Sequence, residues 1–432
     1  MPIWNRKQET MQRSEMEQLQ LELLQTTVNR AYRNVPFYHR KFEQLNIAPE
    51  DVQSLCDIAK LPFTTKEDLR DGYPYEMFAV PLREIVRIHS SSGATSKPVV
   101  VGYTRNDLKH WADQTARVMS AAGVTKDDVV QIAFDYGLFT GGFGMHYGAE
   151  RLGASVIPVS SGNTERQVQI MQDFRSTALV STPSFALYLA EVMGRLGVPT
   201  AGLWLRVGLF GGEPMSERMR GEIESRLGVV ATDNYGISAV MGPGIAGECE
   251  LRDGLHINED HFLVEVVDPT TLQVLDEGQE GELVITTLTK EGLPMIRYRT
   301  HDISRITRSK CKCGRTTARM APVRRRTDDM VIIRGVNVYP KEIEALLYEI
   351  EHVQPHYQIV IDREAGLENL TLRVELSGGM ISDQMQRLVE LEDTIKHRVH
   401  ALVGLTPRVR LVEPRTLHEV GPSERVIDNR EK

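Results

Sequence analysis

Cysteine, aromatic residues and excess basic charge are all scarce in this chain of 432 residues. Only four cysteines occur, Cys56, Cys249, Cys311 and Cys313, too few to staple so long a chain, which excludes a disulfide framework of the secreted type. A formal net charge of -8 argues against a nucleic-acid binder, which needs a clearly basic face. The run Arg324-Arg325-Arg326 is too short to reverse that. No uncharged apolar run reaches the roughly 18 residues of a membrane helix. The opening stretch Met1-Pro2-Ile3-Trp4-Asn5-Arg6-Lys7 has no apolar centre of the signal-peptide kind, so the expected location is cytoplasmic. What is present, 41% hydrophobic and 25% charged residues, is the composition of a globular protein of two or three domains at roughly 150 residues each.

The most distinctive stretch is Ser90-Ser91-Ser92-Gly93-Ala94-Thr95-Ser96-Lys97-Pro98, followed by the apolar Val99-Val100-Val101. A small-residue loop of this kind exposes backbone N–H groups and hydroxyls to phosphate oxygens, and Lys97 adds a cation. It does not fit G-x-x-x-x-G-K-[ST], so an ordinary P-loop NTPase is disfavoured. A solvated Ser-rich turn has the same composition, so this loop alone does not decide.

Hydrophobic periodicity predicts helices over 9–32 and 106–122, the first ending before Pro36. Strands at 129–134, 155–159, 178–181, 207–210 and 229–231 alternate with helices at 164–174, 183–196 and 214–227. This alternation predicts an α/β fold with a doubly wound, mostly parallel sheet, whose ligands bind beyond the carboxyl ends of the strands. From about Glu250 the texture becomes β-rich, with strands expected at 262–267, 273–275 and 281–287. A further αβ unit follows: helix 341–350, strands 357–361 and 370–376, helix 383–403, strand 408–412. The polar stretch Arg325–Asp329 is the expected boundary between a large N-terminal domain, 1–327, and a small mobile α+β C-terminal domain, 328–432.

Five separated segments in order resemble one family, the adenylate-forming acyl-CoA synthetases, and within it the phenylacetate–CoA ligase branch. The Ser90–Pro98 loop resembles the family's phosphate loop, which implies Ser91, Ser92, Gly93, Thr95 and Lys97 as phosphate ligands, Lys97 with a catalytic role. Gly211-Gly212-Glu213-Pro214 and Asp233-Asn234-Tyr235-Gly236-Ile237-Ser238 resemble the adenine- and phosphate-contacting segments. Tyr298-Arg299-Thr300-His301-Asp302 resembles the segment whose aspartate holds the ribose hydroxyls. Arg326-Thr327-Asp328-Asp329 and Ile333-Arg334-Gly335-Val336-Asn337 resemble the hinge and the CoA-facing start of the C-terminal domain. The resemblance runs from Ala31–Tyr38 to the last residues, essentially the whole chain.

The side-chain chemistry is consistent with this. Tyr235, placed after a strand, offers a flat ring to adenine, and the hydroxyl of Ser238 can reach a phosphate. Asp302 offers two acceptors to a ribose diol and Arg326 forks onto ribose or phosphate oxygens. A core tyrosine and surface ion pairs are the structural alternatives. Tyr136, Phe139, Gly141 and Gly142, in an aromatic and glycine-rich stretch after the 129–134 strand, suit a flat apolar acyl group; a closely packed strand-to-helix crossover is the alternative. The resemblance places the carboxylate-substrate pocket here. It implies ATP, Mg2+ and CoA as cofactors, a phenylacetate-like acid as substrate, and adenylation followed by transfer to CoA. A homodimer is the expected assembly, with neither nucleic acid nor membrane as partner.

Cys311-Lys312-Cys313, with Cys249 and His256 upstream, can supply three thiols and one imidazole to a closed tetrahedral zinc site, structural because no position stays open for water. Buried free cysteines fit the same spacing. The resemblance favours the metal. Two departures from the family pattern stand out. Ala239 occupies the position of the usual magnesium-holding Glu, and a methyl group cannot ligate a hard cation; Glu213 or Asp233 is the candidate substitute. Pro422 falls where relatives carry the lysine that serves adenylation. Two further readings follow: a degenerate nucleotide- or acyl-CoA-binding homologue, and a synthetase that adenylates a deazaflavin-type cofactor.

Overall fold

The computed structural model describes residues 2–90, 98–323, 325–328, 330–364, 367–376, 385–413, 416–417 and 425–430. Ser91, Ser92, Gly93, Thr95, Lys97 and Pro422 lie outside them. The chain divides into a large unit ending at Thr327 and a small one running on from Asp328.

In the large unit, Met16, Leu24, Val28 and Ala31 recur at helical spacing and are buried along one face of the helix Arg13–Asn34. Pro36 then occupies the first turn of the next helix, Pro36–Leu45, and holds Val35 extended between the two. The first helix does not begin at Glu9 as the periodicity predicts. Tertiary partners capture the chain there: Arg315 donates to the Glu9 carboxylate at 2.6 Å, and the Thr316 hydroxyl donates to the carbonyl of Met11 at 2.6 Å. Glu9 is thereby buried and the helix starts at Arg13.

Strands β1 (Arg87–Ser90) and β2 (Val100–Tyr103) form an antiparallel pair flanking the Ser-rich loop. Among the described residues the main sheet has nine strands. Its parallel half runs β4 (Ser155–Ile157), β3 (Val129–Ile132), β5 (Ala178–Ser181), β6 (Val207–Gly211), β7 (Val230–Ile237). β5 and β6 are buried throughout, as strands covered on both faces must be. Beyond β7 the sheet turns antiparallel through β8 (Gly242–Glu248), β9 (Leu255–Ile257), β14 (Arg319–Met320) and β13 (Ile306–Thr307). A second, antiparallel sheet joins β10 (Phe262–Val267), β11 (Gly281–Thr287), β12 (Tyr298–Ser304) and β15 (Arg325–Arg326).

Two expectations are corrected. The strand expected at 229–231 continues to Ile237, because β8 pairs with its polar second half, Asn234 opposite Gly247 and Tyr235 opposite Ala246. Tyr235 is therefore on a strand, not in the loop after one. The expected strand at 273–275 reduces to one bridge, Val267 to Val274.

The small unit pairs β16 (Val331–Ile333) with β17 (Val336–Val338) in a hairpin. It also builds a four-stranded sheet in the order β20 (Arg408–Val412), β19 (Leu367–Leu376), β18 (Val353–Glu364), β21 (Val426–Asp428). Helices Pro340–Tyr348 and Met385–Val403 share its core, in which Ile343, Leu347, Ile359, Leu372, Ile395 and Val399 are buried. The predicted doubly wound sheet, β-rich region and α+β C-terminal part are all present.

Candidate active site

The segment Gly211–Pro214 leaves the carboxyl end of β6. Gly212 turns with φ +77°, and a Cβ on Gly211 would lie 2.5 Å from the Asn234 carbonyl oxygen, so both glycines are required by the backbone. Glu213 reaches across to the first turn of the helix Pro183–Arg195, accepting from Ser184 Oγ at 2.8 Å and Ser184 N at 3.2 Å. Its carboxylate thus braces the loop against a helix N-terminus.

On β7, Asp233 is buried beside the Arg220–Glu248 pair, whose two hydrogen bonds measure 2.7 and 3.0 Å. Burial, then the Glu248 carboxylate, pushes Asp233 well above the ordinary carboxylate range.

Tyr235 is half-buried and donates its hydroxyl to Asp302 Oδ2 at 2.6 Å. The other Asp302 oxygen is paired with Arg326, which also donates to the carbonyl of Thr300 at 2.9 Å. The β12–β15 register sets Asp302 opposite Arg326. Two candidate residues, Tyr235 and Arg326, therefore converge from two other strands on the Asp302 carboxylate. Burial, followed by the charge of Asp302, pushes the Tyr235 phenol well above its ordinary value, so it remains a donor.

Past Gly236, Ser238 Oγ lies 2.7 Å from Thr140 Oγ1. That contact joins the end of β7 to the aromatic stretch and was not visible in the sequence. Ala239 is buried, with its methyl in the core. The segment behind it is held by two donors, Lys290 Nζ to the Val240 carbonyl at 2.7 Å and Tyr103 Oη to the Met241 carbonyl at 2.8 Å. Lys290 Nζ also sits 4.4 Å from the Tyr103 ring centroid.

In the aromatic stretch, Tyr136 meets Phe143 edge-on at 5.2 Å, and His89 contacts Phe143, Tyr103 and Trp111 at 5.6–5.9 Å between centroids. Gly141 and Gly142 are buried: a Cβ on either would lie 2.6 Å from the Phe139 ring or the Asp135 carbonyl oxygen respectively. They let the helix Gly141–Leu152 start against backbone. His89, Trp111 and Phe143 join Tyr136 and Phe139; only Trp111 lay in a predicted helix, and nothing marked it for this role. A cavity of about 640 Å3, bounded by Arg13, Leu263, Val274 and Ile306 among others, is lined by none of these residues.

In the small unit Arg334 and Gly335 form the β16–β17 turn at φ +51° and +76°. Arg334 donates to Asn369 Oδ1 at 3.1 Å and its N–H to Glu368 at 2.9 Å, while Asn337 pairs with Ile332. Asp328 is the first residue after the unit boundary.

Cys249, His256, Cys311 and Cys313 present four ligand atoms all within 4.8 Å of one another. The separation of Cys249 Sγ from Cys311 Sγ is 4.0 Å and of Cys313 Sγ from His256 Nε2 is 3.4 Å. A tetrahedral zinc with its usual bond lengths requires edges of about 3.8 Å between sulfurs and about 3.5 Å from sulfur to nitrogen. His256 Nδ1 is 3.1 Å from Thr317 Oγ1, an outer contact that turns Nε2 toward the thiols. The hydrogen bond from Cys249, then that from His256, draws the Cys313 thiol far below its ordinary value. The residues fit a zinc ion.

Comparison with known proteins identifies the family. Residues 83–289 match the AMP-binding enzyme family and residues 335–430 the AMP-binding enzyme C-terminal domain. The chain belongs to the AMP-binding enzymes. Among relatives, it is 47% identical to the phenylacetate–coenzyme A ligase of Escherichia coli (strain K12) over 98% of this chain and 97% of that protein. It is also 47% identical to the phenylacetate–coenzyme A ligase of Thermus thermophilus over 98% of each. Among solved structures, 2-hydroxyisobutyryl-CoA ligase is 32% identical. In complex with 2-HIB-AMP and CoA in the thioesterification state it matches with TM-score 0.94, covering 100% of this chain and 94% of that one. The same ligase in the postadenylation state, with 2-HIB-AMP, gives TM-score 0.73, covering 99% and 93%.

Proposed function

We propose that the chain is an ATP-dependent, AMP-forming carboxylate–CoA ligase acting on an aryl acid of the phenylacetate type. The observation that carries the nucleotide half is the convergence of Tyr235, Asp302 and Arg326. The ribose hydroxyls of ATP would exchange for the present partners of the Asp302 carboxylate, Tyr235 would lie along the adenine, and Arg326 would turn to phosphate or ribose oxygens. Gly212, Glu213, Pro214 and Gly236 shape the same edge, and Ser238 with Thr140 faces the phosphates. Ser91, Ser92, Gly93, Thr95 and Lys97 carry the phosphate-loop role by resemblance.

In the first half-reaction a carboxylate oxygen attacks the α-phosphorus and the bond to pyrophosphate breaks. In the second the CoA thiol gives up its proton and attacks the acyl carbonyl, and AMP leaves. The rings of Tyr136, Phe139 and Phe143 suit a flat aryl group. Magnesium, when bound, neutralises phosphate charge; with Ala239 in place of a carboxylate it would be held through the nucleotide phosphates and water.

Domains 1–327 and 328–432, with Asp328, Arg334, Gly335 and Asn337 serving the hinge and CoA, belong to the same reading. So do a structural zinc at Cys249, His256, Cys311 and Cys313, a homodimer and a cytoplasmic location. No described helix is long and apolar enough to cross a membrane. Ala239 and Pro422 favour a second reading, a binding protein that has lost turnover. Acid-dependent ATP–pyrophosphate exchange without CoA separates the two: exchange with phenylacetate supports the ligase, whereas ATP binding without exchange across a panel of acids overturns it.

A further inference from the structure

His301 stands out in β12 because it is a non-glycine residue at φ +63° in the middle of a strand. Such a conformation costs of order 1 kcal/mol and persists where the surroundings over-determine it. Here the surroundings are Glu282 and Thr327. Glu282 is fully buried and holds Arg299 through both oxygens at 3.1 and 2.7 Å. It also accepts from the backbone N–H of His301 at 3.2 Å and from the Thr327 hydroxyl at 3.4 Å. The kink turns the imidazole so that Nδ1 lies 3.0 Å from Thr327 Oγ1, and Thr327 N donates to the His301 carbonyl at 2.8 Å. One consistent chain results: His301 Nδ1–H donates to the threonine hydroxyl, which donates to Glu282.

Thr327 is the last residue of the large unit; Arg326 precedes it in the chain, and Asp302, paired with Arg326, follows His301 on β12. We propose that His301 is a positioning residue for thioester formation. With Glu282 it fastens Thr327, so that any turn of the chain between half-reactions begins at Asp328 and leaves Arg326 at the nucleotide. That 2-hydroxyisobutyryl-CoA ligase occurs in separate postadenylation and thioesterification states shows that a related ligase passes through more than one arrangement. The proposal rests on the ligase reading above and assigns a residue within it.

Three variants separate the clasp from the strain. Thr327→Val removes the hydroxyl and keeps the shape. His301→Gly removes the imidazole while relaxing the backbone. His301→Asn tolerates the left-handed conformation and keeps a donor close to the place of Nδ1. Each is checked by thermal melting, then assayed by ATP–pyrophosphate exchange and by a single-turnover chase of preformed acyl-adenylate with CoA. Loss of one such hydrogen bond should slow the chase about five- to tenfold in Thr327→Val and His301→Gly, with exchange held within about twofold and His301→Asn near wild type. Equal loss in both half-reactions, or an unchanged chase, overturns the clasp while leaving the ligase reading standing. A wild-type protein that performs neither half-reaction overturns both.

Discussion

Asp302 accepts from Tyr235 on one oxygen and pairs with Arg326 through the other, so its removal releases two residues at once. Asp302→Ala should weaken ATP binding by roughly ten- to a hundredfold, the range for a lost hydrogen bond to a charged group. Unchanged affinity in a calorimetric titration would remove Asp302 from the nucleotide site. The pairing itself was legible only in part. The resemblance singled out all three residues, but that Tyr235 and Arg326 already share the Asp302 carboxylate depends on strands far apart in sequence. Ser238 with Thr140, and Lys290 beneath Val240, were invisible for the same reason.

Lys290 should make stability depend on pH. Burial lowers its pKa from the ordinary 10.5 to about 7, against a smaller opposing effect of Asp107. The unfolded chain keeps the ordinary value, so between about pH 7 and pH 10.5 the unfolded state binds more protons and stability rises with pH. Below that window the cost of holding the charged amine is fully present. Lys290→Met removes it. Urea unfolding should show wild type gaining stability relative to the variant between about pH 7 and pH 9.5; a pH-independent difference contradicts the burial argument.

Among the elements, β7 decides most. Its apolar start, Val229-Val230-Ala231, announced a strand, whereas its continuation Asp233–Ile237 reads as a turn and stays extended only because β8 lies alongside. Gly236 makes that approach feasible, since a Cβ there would lie 2.2 Å from the Gly242 carbonyl oxygen and 2.5 Å from Pro243 Cα. Gly236→Ala forces backbone against backbone and should cost about 1–3 kcal/mol of stability, read from the urea midpoint. An unchanged midpoint would mean that the two strands can part there at no cost.

The cysteine knuckle is the second decisive element. Arg315, fully buried behind Cys313, donates to Glu9 and to the Pro2 carbonyl, so the thiol cluster also anchors the start of the chain. Elemental analysis should find about one zinc per chain, lost together with stability when Cys311 and Cys313 become serine. A metal-free wild type of full stability would leave three ordinary buried side chains and a half-buried Cys313.

For the whole molecule, local periodicity sufficed for the parallel half of the sheet and for both helices of the small unit. It failed at Glu9–Gln12 and at Gln273–Leu275, where tertiary contacts or their absence overrule the pattern. The order of motifs along the chain pointed to the family before any geometry was known, and relatives 47% identical over nearly their full length bear that family assignment out. Ala239 and Pro422 concentrate the remaining tension: by the resemblance they stand where relatives carry a magnesium-holding Glu and an adenylating lysine, and loss of one charge donor such as the lysine costs about 2.7–4 kcal/mol in comparable sites. The backbone around Ala239 is nonetheless held in place by Lys290 and Tyr103. Incubation with ATP, magnesium, CoA and phenylacetate, with products identified by mass spectrometry, tests the account most directly. It predicts phenylacetyl-CoA and AMP in equal amounts, with neither formed when the acid is left out. ATP bound but never consumed, with phenylacetate and with every other aryl acid tried, would contradict it.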